Sequence, residues 1–171
     1  MTPGKIQVAS SQGIYVLNFS GDVRLTLCTA LEEFVNKMFE DEDLKSIIID
    51  LSDVDGLDST TLGQLAKISI FSREKLQLTP SIISPKEDIT KLLKTMGFHK
   101  IFYILGQLPT KIDQLDTIEC SHTINEDDLR DKIIEAHKVL IELNEDNREA
   151  FQNLVDSLES DRIAAQYKQH G

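Results

Sequence analysis

The spacing of apolar residues divides the first two thirds of the chain into alternating strand-like and helical segments. Short runs rich in β-branched residues, such as residues 47–49, are typical of strands covered on both faces. Longer segments carry apolar residues three or four positions apart, as amphipathic helices do. The predicted elements are, in order, strands at residues 5–10 and 14–20, a helix at 25–39, a strand at 46–51, a helix at 60–75, a strand at 80–85, a helix at 86–96 and a last strand supplied by Phe98 and residues 101–105.

This order, ββαβαβαβ, predicts an α/β fold in which helices flank a mixed sheet. The first two strands are joined at Gly13, which favours a hairpin. The later strands alternate with helices, which favours parallel neighbours and right-handed crossovers. Gly97 follows the third predicted helix and is well placed to end it in a left-handed conformation. We expect this domain to occupy residues 1–108.

The pattern changes after the domain. Residues 109–121 contain Pro109 and have mixed polarity, so we predict a linker there. Residues 122–171 carry two helical stripes separated by a polar break at 144–147, which predicts a C-terminal helical hairpin that begins at a capping box formed by Thr123 and Glu126. The apolar stripes require a covering surface. A cap on the first domain, a homodimer through these helices and a partner-binding role are the alternatives.

Charge narrows the classes of partner. The chain has 171 residues, of which 40% are hydrophobic and 27% charged, as in a soluble globular protein, and its formal net charge is -11. Such acidity disfavours nucleic acid and anionic membrane surfaces as partners. Residues 1–120 carry 12 basic and 17 acidic side chains, whereas residues 121–171 carry 6 and 12. The extension is therefore the more acidic part.

Other sequence features also exclude functions. Apolar stretches are too short for membrane insertion, and the first residues do not form a signal peptide. Cys28 and Cys120 are far apart, which favours a reduced, cytoplasmic setting, with a disulfide as the alternative. The four histidines lack metal-ligand spacing, so we predict surface or local packing roles and no metal site. They are His99, His122, His137 and His170.

The most informative segment follows the predicted strand at 46–51. A polar connection at residues 52–58 ends in Asp58 and three successive hydroxyl residues at the start of a helix. Asp58 or Ser59 can cap that helix by accepting a hydrogen bond from a free backbone N–H. A phosphoryl group on a hydroxyl there would be partly stabilised by the helix N-terminus, yet its charge would strongly affect a docking partner. From position alone, a simple cap is the more common role.

Three pieces of the sequence, in the correct order, resemble the STAS domain family of anti-sigma factor antagonists. Val54-Asp-Gly-Leu-Asp-Ser-Thr-Thr-Leu-Gly63 is similar to the family's signature loop, in which D-S-S-G precedes L-G. Leu17-Asn-Phe-Ser-Gly-Asp22 resembles the element before the first helix. Leu92-Leu-Lys-Thr-Met-Gly-Phe-His-Lys-Ile-Phe102 resembles the closing helix, glycine and last strand. The resemblance covers about residues 4–108.

The resemblance implies roles for particular residues. Ser59 matches the serine that a partner kinase phosphorylates, with Thr60 and Thr61 as weaker candidates for phosphorylation. Thr61 stands where the family has glycine, which adds bulk at a docking surface. The implied partner-binding residues are Asp22, Asp58, Ser59, Thr60, Thr61 and Leu62.

The implied function is regulation of bacterial transcription by protein binding. The chain would sequester an anti-sigma factor or equivalent switch partner while Ser59 is bare. A serine kinase using ATP and magnesium would release that partner, and a serine phosphatase would reset the switch. A non-phosphorylated STAS scaffold subunit of a signalling or lipid-transport complex is the alternative.

An enzyme is disfavoured. The sequence contains no P-loop and no GxSxG, and Ser59 beside Asp58 lacks an evident base. The acidic residues Asp50, Asp53, Asp55 and Asp58 do not match calcium-loop spacing, so we predict a solvated loop. We therefore expect no catalytic residue and no cofactor.

Overall fold

The computed structural model describes residues 2–107, 116–118 and 125–170, and its strands form one sheet. The strand order across the sheet is β5-β4-β3-β2-β1-β6. The strands are β1 (Lys5–Ser11), β2 (Ile14–Val23), β3 (Ser46–Leu57), β4 (Ser81–Ile83), β5 (Tyr103–Leu105) and β6 (Asp116–Ile118).

The sheet is mixed, as the sequence predicted. Strands β2 to β5 pair in parallel, whereas β1 pairs antiparallel with both β2 and β6. Gln12 and Gly13 join β1 to β2 and both have positive φ, at 52° and 85°. Two successive residues of this kind give the tight turn that suits the twist of a hairpin.

Five α-helices accompany the sheet in the described ranges. They are α1 (Cys28–Glu40), α2 (Ser59–Leu76), α3 (Glu87–Thr95), α4 (Glu126–Leu143) and α5 (Glu145–His170). Gly97 has φ 88° and follows Met96, the C-cap of α3, so the predicted left-handed stop is confirmed. Helices α4 and α5 form the predicted hairpin.

Two strand predictions were wrong in extent. The predicted polar connection at residues 52–58 is mostly strand, because β3 continues to Leu57 and pairs with the end of β2 across two register shifts. Phe98 does not belong to the last strand but to a short 3₁₀ turn, Phe98–Lys100, and is fully buried. These pairings depend on neighbouring strands and packing, which local periodicity does not encode.

The predicted linker and capping box also differ from the structure. Residues 116–118, inside the predicted linker, form β6 and pair with β1. The described cap of α4 is Asn125, whose side chain accepts a hydrogen bond from the N–H of Asp128. Thr123 lies outside the described residues. A helix start leaves several backbone N–H groups without a partner in the helix, and the Asn125 side chain accepts from one of them.

The hairpin shares the core of the sheet domain. Leu140 of α4 has no exposed surface and belongs to the same apolar cluster as Phe19, Leu65 and Leu93. A smaller cluster of Ile134, Ile141 and Val155 joins α4 to α5. The C-terminal extension is therefore packed as a cap on the domain.

A polar contact connects the start of β2 to the end of α1. The Tyr15 hydroxyl donates a hydrogen bond to the Asp41 carboxylate, which raises the pKa of Tyr15 to about 12 and lowers the pKa of Asp41. Because the tyrosine pKa is raised from 10.0, its stabilising contribution is complete below pH 10 and is lost as pH rises through about 12. The contribution of Asp41 is lost as pH falls through its lowered pKa.

We expect Asp41→Asn to bring the pKa of Tyr15 down from about 12 towards 10, because the carboxylate that favours the neutral phenol is removed. Titration of ring-labelled tyrosine by NMR measures this pKa directly. Asp43→Asn is the matched control and should shift it much less, since Asp43 contributes the smallest of the effects on Tyr15. An unchanged pKa in Asp41→Asn would contradict the contact.

Candidate functional site

The candidate site lies where β3 ends and α2 begins. Strand β3 ends at Leu57, Asp58 is the cap residue and Ser59 is the first residue of α2. The first N–H groups of a helix have no partner within the helix and carry partial positive charge. Asp58 and the hydroxyl of Ser59 therefore lie at a helix start that carries partial positive charge.

Asp58 fixes this helix start by accepting two backbone hydrogen bonds. Its Oδ1 accepts from the N–H of Thr61 at 2.8 Å, so Asp58 is the N-cap of the two candidates that the sequence offered. Its Oδ2 accepts from the N–H of Leu25 at 2.7 Å. The second bond ties α2 to the segment between β2 and α1, so Asp58 connects two neighbouring loops.

Asp22 lies beside the end of β3, close to the start of α2. It is the next-to-last residue of β2, pairs with Gly56 of β3, and accepts a hydrogen bond from Arg24 Nε at 2.9 Å. This bond raises the pKa of the Arg24 guanidinium, and the charge of Asp58 makes a smaller contribution in the same direction. Asp22 and Asp58 therefore act on the same cation, and Asp22 belongs to a strand rather than a free turn.

Ser59 is half-buried, and its hydroxyl contacts a histidine from the C-terminal hairpin. Ser59 Oγ lies 2.8 Å from His137 Nε2. The other ring nitrogen, Nδ1, lies 2.7 Å from the carbonyl oxygen of Ile133. A carbonyl can only accept, so Nδ1 carries a proton, and in the neutral ring Nε2 accepts a hydrogen bond from the Ser59 hydroxyl.

His137 corrects the sequence-based interpretation of the histidines. It is not merely a local packing residue, because it is 2% exposed and pairs with Ser59 as well as packing edge-to-face on Phe151. The expectation that Ser59 lacks an evident base is also wrong, because a histidine ring nitrogen lies 2.8 Å from its hydroxyl oxygen. The missed signal was a polar side chain on the apolar stripe of a helix, because a buried ring nitrogen needs a partner.

The three residues after Ser59 are buried. Thr60, Thr61 and Leu62 are 4%, 1% and 1% exposed, and Leu62 belongs to the main apolar cluster. Within the described ranges, the Thr61 hydroxyl oxygen is buried without a hydrogen-bond partner. The side chain that replaces the family's glycine is thus enclosed, and Ser59 is the motif hydroxyl nearest to solvent.

The acidic residues around the motif do not gather into a metal site. Among the described residues, no cluster of His, Cys, Asp or Glu has a geometry that could hold a metal ion. Asp50 is not solvated as predicted but is 4% exposed, since it accepts from Asn18 Nδ2 at 3.0 Å and from the N–H of Ser52. Asp55 lies 3.8 Å from Lys86 Nζ. Each carboxylate has a separate structural environment.

A helix that spans a membrane needs sufficient length and apolarity. Across residues 2–107, 116–118 and 125–170, each helix is too short or too polar to cross a bilayer.

We expect Asp58→Ala to lower the free energy of unfolding by about 1–3 kcal/mol, because two backbone N–H groups lose their acceptor. Urea unfolding measures the change. Asp55→Ala is the matched control and should stay within about 0.5 kcal/mol, since its carboxylate is exposed and pairs with Lys86 only at the surface. Equal effects of the two substitutions would show that the Asp58 clamp does not hold the helix start.

Comparisons with known proteins bear on the family and the fold of the chain. A protein-family model described as the STAS domain matches residues 5–114, which is more than half of the chain. A search of curated proteins found no match. Anti-sigma factor antagonists of the STAS family are generally not enzymes.

Solved structures share the fold. A candidate anti-sigma factor antagonist from Thermotoga maritima is 19% identical, with a TM-score of 0.53 over 60% of this chain and 87% of that chain. The unphosphorylated form of SpoIIAA, an anti-sigma factor antagonist from Bacillus, is 12% identical, with a TM-score of 0.50 over 60% of this chain and 89% of that chain. Helices α4 and α5 lie beyond the residues that the family model matches. The chain belongs to the STAS domain family.

Proposed function

We propose that this chain is a phosphorylation-switched regulator that binds an anti-sigma factor, or an equivalent switch partner, while Ser59 is bare and releases it when Ser59 is phosphorylated. The observation that carries the proposal is the position of Ser59. It is the first residue of α2, directly after the capping Asp58, in a motif that resembles the family's signature loop, where the resemblance implies a phosphorylated serine.

The local electrostatics suit a switch of this kind. Bare Ser59 is neutral, and the carboxylates of Asp58 and Asp22 are held by backbone N–H groups or by Arg24. A phosphoryl group would add about -1.5 to -2 charges beside Asp58. A partner that had excluded water from this surface would lose binding, because the new charge would be desolvated next to a like charge.

The proposed partners follow from the family. The structural neighbours are anti-sigma factor antagonists, which supports an anti-sigma factor as the bound protein. In this proposal a serine kinase transfers the phosphoryl group from ATP, with magnesium, and a metal-dependent serine phosphatase removes it, all in the bacterial cytoplasm. The exposed apolar side chains Ile163 and Tyr167 on α5 support a homodimer through the C-terminal helices.

The switch is tested by a pair of substitutions at one position. Tagged Ser59→Ala and Ser59→Asp chains are expressed in the native cells, and captured proteins and phosphosites are identified by mass spectrometry. We expect Ser59→Ala to retain an anti-sigma-type partner and Ser59→Asp to capture it at least about tenfold less, since a charge at a desolvated interface costs more than 1.4 kcal/mol. Wild-type chains should carry phosphate on Ser59.

Ser157→Asp is the control for added charge alone, because Ser157 is exposed on α5. It should capture the partner as wild type does. Equal capture by Ser59→Ala and Ser59→Asp would contradict the switch. Unmodified Ser59 together with copurifying membrane ATPase components would favour the scaffold alternative.

A further inference from the structure

One face of α2 is covered by α4, a helix that lies beyond the family match. The face consists of Ser59, Gly63 and Lys67, which are four residues apart and therefore lie one above the other on the helix. We call these three residues the Ser59 face. Ser59 bonds to His137, Gly63 lies against Ala136, and Lys67 pairs with Glu135.

The two helices approach each other most closely at Gly63. A Cβ atom added there would lie 2.4 Å from the carbonyl oxygen and 2.6 Å from the Cα of Ala136. Ala136 is 1% exposed. Such an approach of two backbones leaves no space for another chain, so a protein cannot dock on the Ser59 face while α4 is in place.

Contacts further along the hairpin hold α4 in this position. Leu140 is fully buried in the core of the sheet domain. Asn147 Nδ2 donates to the carbonyl oxygen of Met96 at 2.9 Å, and Lys100 Nζ donates to that of Leu143 at 2.9 Å. Apolar burial at Leu140 therefore stabilises the position of α4 on the sheet domain.

The charge of α4 opposes a phosphoryl group on Ser59. Residues 126–143 contain six acidic and three basic side chains. His137 Nε2 lies only 2.8 Å from Ser59 Oγ, so three additional oxygens do not fit between the two atoms. Modification of Ser59 would therefore bring negative charge against an acidic helix and replace its bond to His137.

We propose that α4 occupies, within this chain, the surface on which the regulatory partner docks, and that partner binding, or negative charge at Ser59, requires the hairpin to lift. The partner and the kinase in this proposal rest on the proposed function, whereas the covering of Ser59 by α4 does not. A partner that binds only the open state has its apparent affinity reduced by the fraction of molecules that are open.

The covered face also defines the chemistry of the competing partner. Gly63 accepts only a small residue on a closely packed helix, and Lys67 faces an acid on α4. The partner would therefore present a helix with a small residue against Gly63 and a carboxylate near Lys67. The partner helix would take the place of α4 and make similar contacts with α2.

Thiol labelling measures the accessibility of the Ser59 face without any partner. The full chain, with Cys28→Ser and Cys120→Ser, carries either Ser59→Cys or the exposed reference Ser11→Cys, and iodoacetamide is the probe. We expect the thiol of Ser59→Cys to react at least about tenfold more slowly than that of Ser11→Cys, because reaction requires opening of α4. Equal rates would overturn the proposal.

A second substitution opens the hairpin. Leu140→Asp places a charge in the core and should accelerate labelling of the Ser59→Cys thiol at least about tenfold. Leu154→Asp is the matched control, because Leu154 is 41% exposed on the same hairpin, and it should leave the rate unchanged. Comparing one thiol across these variants removes the effect of the helix N-terminus on its reactivity.

Circular dichroism checks that the Leu140→Asp chain stays folded. If it unfolds, Gly63→Leu replaces it, since a side chain at Gly63 collides with Ala136 while the sheet core stays intact. A second result is a Ser59→Cys thiol that is labelled slowly in the otherwise unchanged chain and equally slowly in the folded Leu140→Asp or Gly63→Leu chain. That result would also overturn the proposal. A third result is slow labelling that becomes faster in the opening variant, together with equal partner capture by Ser59→Asp and wild type. It would support the covering of Ser59 by α4 and contradict only the proposed switch.

Discussion

The geometry of the site depends on the carboxylate of Asp58. By accepting hydrogen bonds from Thr61 and Leu25, it fixes the first turn of α2 and ties it to the segment after β2. Ser59 is the next residue, so the same clamp fixes the backbone position from which its side chain projects. Loss of either bond would leave a partly buried N–H without an acceptor at the point where regulation is proposed.

From this fixed start, α2 presents its Ser59 face to the C-terminal hairpin. The 50 residues that follow the predicted linker carry half as many basic as acidic side chains, and the sequence alone left their role open among a cap, a dimer and a partner-binding segment. The structure shows a cap that is packed through Leu140 and that also reaches Ser59 through His137. Stability and control of the site therefore reside in the same helix.

Much of the fold could be predicted because local patterns determine it. The helices, the parallel strands, the turn at Gly13 and the stop at Gly97 all follow from periodicity and from residues that tolerate positive φ. The extension of β3 to Leu57 could not, because its polar residues are strand only through pairing with β2. The position of β6 also depends on a distant partner strand.

The site was predictable only in part. Asp58 was found from the capping rule, and Ser59 from the motif. His137 was missed because its contact spans 78 residues, and the register of α4 on α2 is set by Gly63, Ala136 and Leu140 together. A polar residue on an apolar stripe indicates that a buried partner exists, but not which one.

Hydrogen exchange of the α4 amides in Ser59→Asp and Ser59→Asn tests whether α4 and a negative charge compete for the Ser59 face. The two side chains have almost the same shape and differ in charge. We expect the α4 amides to exchange at least about tenfold faster in Ser59→Asp, because added negative charge beside Asp58 and an acidic helix favours the open state. Identical exchange in the two variants would contradict it.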